Sequence, residues 1–179
     1  MKIITTPIKD LYVIQHNIFT DERGVFIKTY NDSVFKSLGL EFNDKERYYS
    51  ISKKNVIRGM HFQNPPADHI KIVTVISGKI LDVILDIRKN SLTYGKCYSI
   101  ELRAELGQSL YIPKGFAHGF KSLVDGTIVE YNQTSEYSPE NDSGIRYDSF
   151  GFKWESINTI LSNRDLSFPN FFDFNTPFI

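Results

Sequence analysis

Apolar and polar residues alternate with a period of two along much of the chain, whereas helical stripes are scarce. In residues 81–87 the odd-numbered positions are apolar, and Asp82 and Asp86 lie on the other face. This alternation predicts a half-buried strand whose polar face is turned to water. Residues 70–76 predict a second strand, and residues 77–79 (SGK) between them predict a hairpin turn.

Further short strands are predicted between closely spaced turn signals, among them NPP at 64–66 and PKG at 113–115. These strands cover residues 24–30, 48–52, 56–62, 99–102, 109–112 and 127–133. A short helix is predicted over 32–38, with Asp32 or Ser33 as its N-cap. Many short strands in one chain of this size predict an all-β fold, an antiparallel sandwich or barrel with a few short helices.

Length and composition narrow the class of protein. The chain has 179 residues, which predicts a single domain over 1–179. With 41% apolar residues, it can form a hydrophobic core that needs no disulfide bond or metal for stability. Cys97 is the only cysteine, so no intrachain disulfide can form. The net charge of zero gives no electrostatic reason to expect nucleic acid or a membrane as partner. With no apolar segment typical of a signal peptide, a cytoplasmic location is expected.

The C-terminal segment, residues 168–179, carries five phenylalanines and two prolines. Because exposed apolar patches are uncommon on monomers, we expect this segment to pack as irregular structure on the outside of the barrel. A contact between two copies of the chain is the alternative.

Residues 107–118 place a glycine, a PKG turn and His118 at the spacing of the second cupin motif, in which a histidine points into the barrel. Metal-binding cupins also need a His-x-His pair and a glutamate, since a transition metal wants several converging N and O donors. Here the pair is reduced to His61, followed by FQ, and Lys71 stands seven residues before Gly78 in place of the glutamate. The sequence therefore predicts a barrel without a metal.

Lys71 and Tyr131 each share a predicted strand face with valines. Lysines are almost never fully buried unless paired, so Lys71 is either at a solvated strand edge or a cation placed where negative charge develops. From its position alone Tyr131 is an ordinary core tyrosine. Taken singly, His61 and His118 are satisfied core histidines.

The blocks together closely resemble the dTDP-4-dehydrorhamnose 3,5-epimerase family, in order from about residue 5 to 170. The two most specific blocks are VIRGMHFQ at 56–63 and IPKGFAHGF at 112–120. The supporting blocks are DERGVF at 21–26, KIV at 71–73, DIR at 86–88, YNQT at 131–134, YSP at 137–139 and LSNRD at 161–165.

This resemblance implies a cupin-like jelly roll that forms homodimers and epimerises C3 and C5 of an NDP-4-keto-6-deoxyhexose without a cofactor, in deoxysugar and surface polysaccharide (O-antigen) biosynthesis. By the family's pattern His61 is the base and Asp165 its carboxylate partner. Lys71 would hold the oxyanion, and Tyr131 would return a proton from the opposite face.

The resemblance also implies residues that bind the nucleotide sugar. Arg23 and Arg58 would grip the diphosphate, His118 would position the sugar, and Tyr137 would stack on the base. The remaining residues expected to bind substrate are Phe26, Lys28, Glu46, Tyr48 and His69.

Three of these positions depart from the family's pattern. Lys28 replaces a glutamate, residues 46–48 (ERY) replace Gln-x-Asn, and His69 replaces a glutamine. An ammonium in place of a carboxylate reverses the hydrogen-bonding preference for a pyrimidine, so dTDP, CDP and GDP sugars stay open. Inversion of C3, C5 or both also stays open.

Three other functions compete with the epimerase. An NDP-4-keto sugar ketoisomerase would move the carbonyl to C3, and the complete set of His61, Lys71 and Tyr131 argues against it. A metal-dependent cupin oxygenase lacks its His-x-His pair here. A non-catalytic sugar-binding module would not need the base and the acid.

Overall fold

The computed structural model describes residues 1–155 and 158–179. Two short α-helices accompany thirteen β-strands in this part of the chain. The strands are β1 (Lys2–Thr5), β2 (Tyr12–Gln15), β3 (Ile18–Asp21), β4 (Gly24–Ile27), β5 (Glu46–Ser52), β6 (Ile57–Gln63), β7 (Lys71–Ser77), β8 (Lys79–Asp86), β9 (Cys97–Arg103), β10 (Gln108–Ile112), β11 (Phe116–Ser122), β12 (Thr127–Gln133) and β13 (Asp142–Gly144). The helices are α1 (Asp32–Ser37) and α2 (Asn163–Ser167). No helix in the described ranges is long and apolar enough to cross a membrane.

Two antiparallel sheets form the body of the fold. The first sheet has the strand order β1-β2-β10-β7-β12-β5, and the second has the order β13-β6-β11-β8-β9. Apolar side chains of both sheets meet in one core, with Val73 and Val129 from the first sheet and Ile84 and Phe120 from the second. Strands β3 and β4 pair with each other and with no other strand of the described ranges. The all-β jelly-roll expectation is confirmed.

The predicted hairpin between β7 and β8 is wrong. A turn does occur, with Gly78 at φ +81°, a conformation that glycine adopts without a Cβ penalty. However, β7 pairs with β10 and β12, whereas β8 pairs with β9 and β11. The chain therefore crosses from one sheet to the other at this turn, and a local pattern indicates the turn but not the partners.

The period predicted for β8 is correct, but the orientation of its polar face is wrong. Asp82 and Asp86 are fully buried, and Asp82 belongs to the face directed into the barrel. The other face is covered by the C-terminal segment, as that segment's pattern predicts. The apolar residues on this outer face of β8 pack with Phe171 and Phe178 in a second core. They are Leu81, Val83, Leu85 and Ile87.

Helix α1 confirms the predicted short helix, but its cap lies one residue earlier. The side chain of Asn31 accepts a hydrogen bond from the backbone N–H of Val34 at 3.1 Å, as an N-cap does. Helix α2 has no clear signal in the sequence, and its Ser162 cap accepts from the N–H of Asp165 at 3.0 Å. This short helix therefore places a predicted catalytic carboxylate.

Candidate active site

A cavity of about 570 Å³ opens between the two sheets and gathers most of the predicted site residues. Among its lining residues are Glu46, Tyr48, Arg58, His61, His69, Lys71, His118, Tyr131 and Tyr137. His61 and His118 come from the second sheet, on β6 and β11, whereas Lys71 and Tyr131 come from the first, on β7 and β12. The imidazoles therefore face the ammonium and the phenol across the cavity.

His61 is paired with Asp165, as predicted. Its Nε2 lies 2.9 Å from Oδ1 of Asp165, whose Oδ2 accepts the backbone N–H of Gly59 at 3.1 Å. Residue 59 has to be glycine, because a Cβ there would lie 2.4 Å from the Cα of Gly119. With Nε2 held by the carboxylate, Nδ1 is the imidazole nitrogen that has no partner among the described residues. A carboxylate that orients an imidazole in this way is a common feature of proton-transferring histidines.

The protonation states of the pair suit a base. Burial lowers the pKa of His61 below its ordinary value, although the neighbouring Asp165 opposes that shift. Burial acts to raise the pKa of Asp165, but hydrogen bonds from His61 and Gly59 outweigh it and leave the pKa below its ordinary value. Near neutral pH the imidazole is therefore neutral and the carboxylate is ionised, which is the state required for accepting a proton.

Arg164 is a site residue that the sequence reasoning missed. Its Nη1 lies 3.1 Å from Nε2 of His61, and its Nη2 donates to Asp142 Oδ2 at 2.5 Å. The guanidinium also lies over the ring of Phe168, 5.0 Å from the ring centre. This cation lowers the pKa of His61 further, after the larger effect of burial. Its position directly before Asp165 in the LSNRD block was the available signal.

Lys71 is buried within the cavity wall, with 7% of its surface exposed. Its ammonium forms no hydrogen bond or ion pair within 1–155 and 158–179. Burial lowers the pKa of Lys71 to about 8, while the carboxylate of Asp82 acts in the opposite direction. The alternative of a solvated strand edge is therefore wrong, and most of the lysine carries its charge at pH 7.

Tyr131 is buried on the wall that faces His61. Its hydroxyl lies 3.2 Å from Oγ of Ser50, and its ring stacks on Tyr48 with 4.7 Å between the ring centres. Burial raises the pKa of Tyr131 well above its ordinary value. The phenol is therefore protonated at neutral pH and is available as a proton donor.

His118 points into the barrel, as the cupin-like spacing predicts, and lies opposite His61 in the pairing of β11 with β6. Its Nε2 is 2.5 Å from Oδ1 of Asp82. The sequence reasoning missed Asp82 as a site residue because the alternation on β8 assigned it to solvent. This second imidazole and carboxylate pair forms part of the cavity floor.

The outer part of the cavity is more open. Arg58 donates from Nε to Ser52 Oγ at 3.1 Å, which holds its guanidinium at the rim. Tyr137 has 58% of its surface exposed and no stacking partner among the described aromatic residues. Stacking of Tyr137 on a base and contact of Arg58, Glu46 and Tyr48 with substrate stay predictions.

Three predicted substrate-binding residues do not line this cavity. Arg23, Phe26 and Lys28 lie on or directly after the β3–β4 hairpin, which pairs with no other described strand. The side chain of Arg23 is 86% exposed and bonds to Asp21 at 2.6 Å. Phe26 and Lys28 border a separate cavity of about 430 Å³. Within one chain, the hairpin therefore does not form part of the main cavity.

The described residues contain no group of three or more His, Cys, Asp or Glu side chains arranged to hold a metal ion. Of the three histidines that line the cavity, His61 pairs with Asp165 and His118 pairs with Asp82, whereas His69 has no carboxylate within hydrogen-bond distance among the described residues. The metal-free site stays a prediction.

Comparisons with known proteins identify the family of this chain. The sequence model of the dTDP-4-dehydrorhamnose 3,5-epimerase family matches residues 5–173. The enzyme of that name from Methanothermobacter thermautotrophicus is 42% identical over 169 residues, which cover 92% of this chain and 91% of the relative.

Solved structures give the same result. The dTDP-4-dehydrorhamnose 3,5-epimerase of Bacillus anthracis, solved with TDP and PPi bound, has a TM-score of 0.92 at 37% identity and covers 94% of this chain and 98% of its own. A dTDP-6-deoxy-D-glucose-3,5-epimerase of Legionella pneumophila, in complex with dTDP-4-keto-L-rhamnose, has a TM-score of 0.90 at 33% identity and covers 94% and 92%. Sequence and fold agree over almost the whole chain, which belongs to the dTDP-4-dehydrorhamnose 3,5-epimerase family.

Proposed function

We propose that this chain epimerises C3 and C5 of dTDP-4-keto-6-deoxyglucose, giving the dTDP-4-keto-L-rhamnose type of product. The observation that carries the proposal is the cavity that these groups share. The neutral imidazole of His61 comes from one sheet, and the protonated phenol of Tyr131 and the buried ammonium of Lys71 come from the other. The relatives at 31–42% identity that bear this enzyme's name support the same reaction.

Proton abstraction is the first step of the proposed reaction. C3 and C5 both flank the C4 ketone, so loss of a proton from either carbon gives an enolate. Nδ1 of His61 takes that proton, and Asp165 stabilises the imidazolium that results. The electron pair of the broken C–H bond moves to the C4 oxygen, where the ammonium of Lys71 holds the negative charge. One cation serves both enolates because both place their charge on the same oxygen.

Reprotonation from the other face completes each inversion. The phenol of Tyr131 donates its proton to the carbon, and the charge on the C4 oxygen returns to the carbonyl. Donor and acceptor lie on opposite sheets, so the new C–H bond forms on the face opposite to the one that lost its proton. Tyr131 and His61 then recover their starting states by exchange with solvent, which would introduce deuterium from D2O.

The outer part of the cavity, the nucleotide end of the site, is proposed to bind the nucleotide and to take no part in the proton transfers. We assign thymidine because the related structures are named with TDP or a dTDP sugar. The guanidinium of Arg58 at the cavity rim suits a diphosphate, and the exposed ring of Tyr137 suits stacking on the base.

A homodimer fits the exposed hairpin. Phe19, Val25 and Phe26 of β3 and β4 have 57%, 62% and 61% of their surface exposed, which is unusual for a protein that works as a monomer. We propose that the hairpin packs against a second copy and brings Arg23 to the partner's cavity.

A single domain over residues 1–179 and a cytoplasmic location, where nucleotide sugars are made, complete the proposal.

The test is incubation with dTDP-, CDP- and GDP-4-keto-6-deoxyglucose in D2O, followed by NMR of the sugar. Deuterium at both C3 and C5 of the dTDP sugar, with inverted configuration, is the expected result. A product with its carbonyl at C3 would identify a ketoisomerase instead. Absence of label from all three substrates would contradict the epimerase.

A further inference from the structure

His69 occupies the inner part of the cavity, two residues before Lys71, and only 9% of its surface is exposed. The proposed mechanism does not use it. Its surroundings nevertheless determine which of its two nitrogens carries the proton, because most of the groups around its Nδ1 have fixed hydrogen-bonding roles.

The amide of Gln63 is fixed first. Its Oε1 accepts the backbone N–H of Ser138 at 2.7 Å, which sets the orientation of the amide. Its Nε2 then faces the carbonyl oxygens of Ala67 at 2.8 Å and Glu136 at 3.2 Å. Carbonyl oxygens only accept, so they take both amide hydrogens. The longer approaches of Nε2 to Nδ1 of His69 and Oγ of Ser135, both 3.3 Å, receive no hydrogen.

Ser135 is fixed by the same carbonyl. Its hydroxyl donates to the oxygen of Ala67 at 2.8 Å, and its Oγ is therefore an acceptor toward His69. Nδ1 of His69 lies 3.2 Å from that Oγ and 3.4 Å from the oxygen of Ala67. The serine oxygen calls for a donor, and the oxygen of Ala67, which already accepts from Gln63 and Ser135, has no hydrogen to give, so Nδ1 carries the hydrogen.

Nε2 of His69 is then left as an acceptor, and no described residue donates to it. Burial, with a smaller effect of Lys71, lowers the pKa of His69 to about 3, so the ring stays neutral at physiological pH. A neutral acceptor in the cavity wall is suited to a donor group of the substrate. An unmet acceptor would lose a hydrogen bond with water on substrate binding.

We propose that Nε2 of His69 accepts a hydrogen bond from the C3 hydroxyl of the sugar and thereby sets how the enzyme discriminates at C3. This inference rests on the proposed function, in which Lys71 holds the C4 oxygen. His69 lies two residues before Lys71 in the chain and lines the same cavity. Of the two carbons beside C4, only C3 carries a hydroxyl, and its direction changes when C3 is inverted. His69 is thus a specificity residue rather than a catalytic one.

The test combines a variant with a substrate analogue. His69→Phe keeps a planar ring but removes the acceptor, and it is expected to raise KM for the natural substrate by about three- to tenfold. The ratio of deuterium at C3 to deuterium at C5 is expected to change as well. With the 3-deoxy analogue, followed at C5, the variant and the wild type are expected to have the same KM.

Two further variants distinguish loss of the acceptor from a general effect of replacing a buried histidine. His69→Gln retains an acceptor and is expected to restore most of the affinity. The matched control is His16→Phe, another buried histidine with a serine partner, Ser109 at 2.7 Å, which does not line the cavity. It is expected to leave KM and the label ratio unchanged.

Suppose that the wild type exchanges protons at both carbons, but His69→Phe changes KM equally for the natural substrate and the 3-deoxy analogue, or changes neither. That result would overturn the inference and leave the epimerase proposal intact. A wild type that exchanges no proton would overturn the proposed function instead. The hydroxyl contact would then be decided by calorimetric affinities of wild type and variant for the same two sugars.

Discussion

The reacting end and the nucleotide end of this site are built in different ways. His61, Lys71 and Tyr131 lie on central strands of two sheets, and Lys71 and Tyr131 are less than 10% exposed. Arg23, Phe26 and Tyr137, which are expected to bind the nucleotide, lie on the surface, and the first two do not reach the cavity of their own chain. Proton transfer at carbon needs charges fixed in a dry site before the substrate arrives. A diphosphate needs only accessible cations, which a second chain can supply.

The largest effect is expected from His61→Asn. This change removes the nitrogen that accepts the proton while keeping a polar side chain of similar size. We expect kcat to fall by about 10²–10⁴-fold, with loss of deuterium incorporation at both carbons. NMR in D2O measures both quantities, and exchange near the wild-type rate would remove His61 from the role of base.

Lys71→Met is expected to rank second. Methionine fills similar space but cannot hold the enolate oxygen, so kcat should fall by about 10²–10³-fold while KM changes less. Because the buried ammonium has no described partner, its removal should also raise the melting temperature. Steady-state kinetics and calorimetric melting give the two results. A variant that is both less stable and fully active would assign Lys71 to the fold rather than to the chemistry.

The pH dependence of activity tests the reacting end by itself. As pH rises past the Lys71 pKa of about 8, the ammonium loses its proton and kcat/KM should fall. On the acid side, activity should persist below pH 6.5, because burial lowers the pKa of His61 and keeps the imidazole neutral. A kcat/KM profile from pH 5 to 10 tests both limbs. In Lys71→Met the alkaline limb near pH 8 should disappear.

The smallest effect is expected at the nucleotide end. Arg23→Ala should raise KM about tenfold, the value of one charge-assisted hydrogen bond, and leave kcat unchanged. The control is Arg146→Ala, a partly exposed arginine whose guanidinium bonds, among the described residues, to Asp148 alone and which does not line the cavity. Sedimentation of both variants reports the oligomeric state. An unchanged KM in a dimeric Arg23→Ala would separate the hairpin from the partner's site.

Helix α2 and strand β8 show where reasoning from sequence ends. The LSNRD block indicated Asp165 through resemblance, but neither Arg164 nor the helix that carries both had a periodic signal, because five residues are too few. On β8 the alternation was visible, yet it could not show that the C-terminal phenylalanines cover the apolar face and turn Asp82 inward. The hydrogen positions around His69 depend on backbone carbonyls, which have no sequence signature at all.

The amino-acid pattern predicted the all-β class and most of the strands, and its specific blocks indicated the family and, through that resemblance, His61, Lys71, Tyr131 and Asp165 as expected catalytic residues. Those features follow from local alternation, turn residues and specific blocks, which are written along the chain. The three-dimensional contacts, by contrast, establish which strands pair, which face of β8 points inward, and that the hairpin with Arg23 is separate from the cavity. Such features depend on contacts between residues far apart in sequence, and their free energies belong to the assembled sheets rather than to any segment.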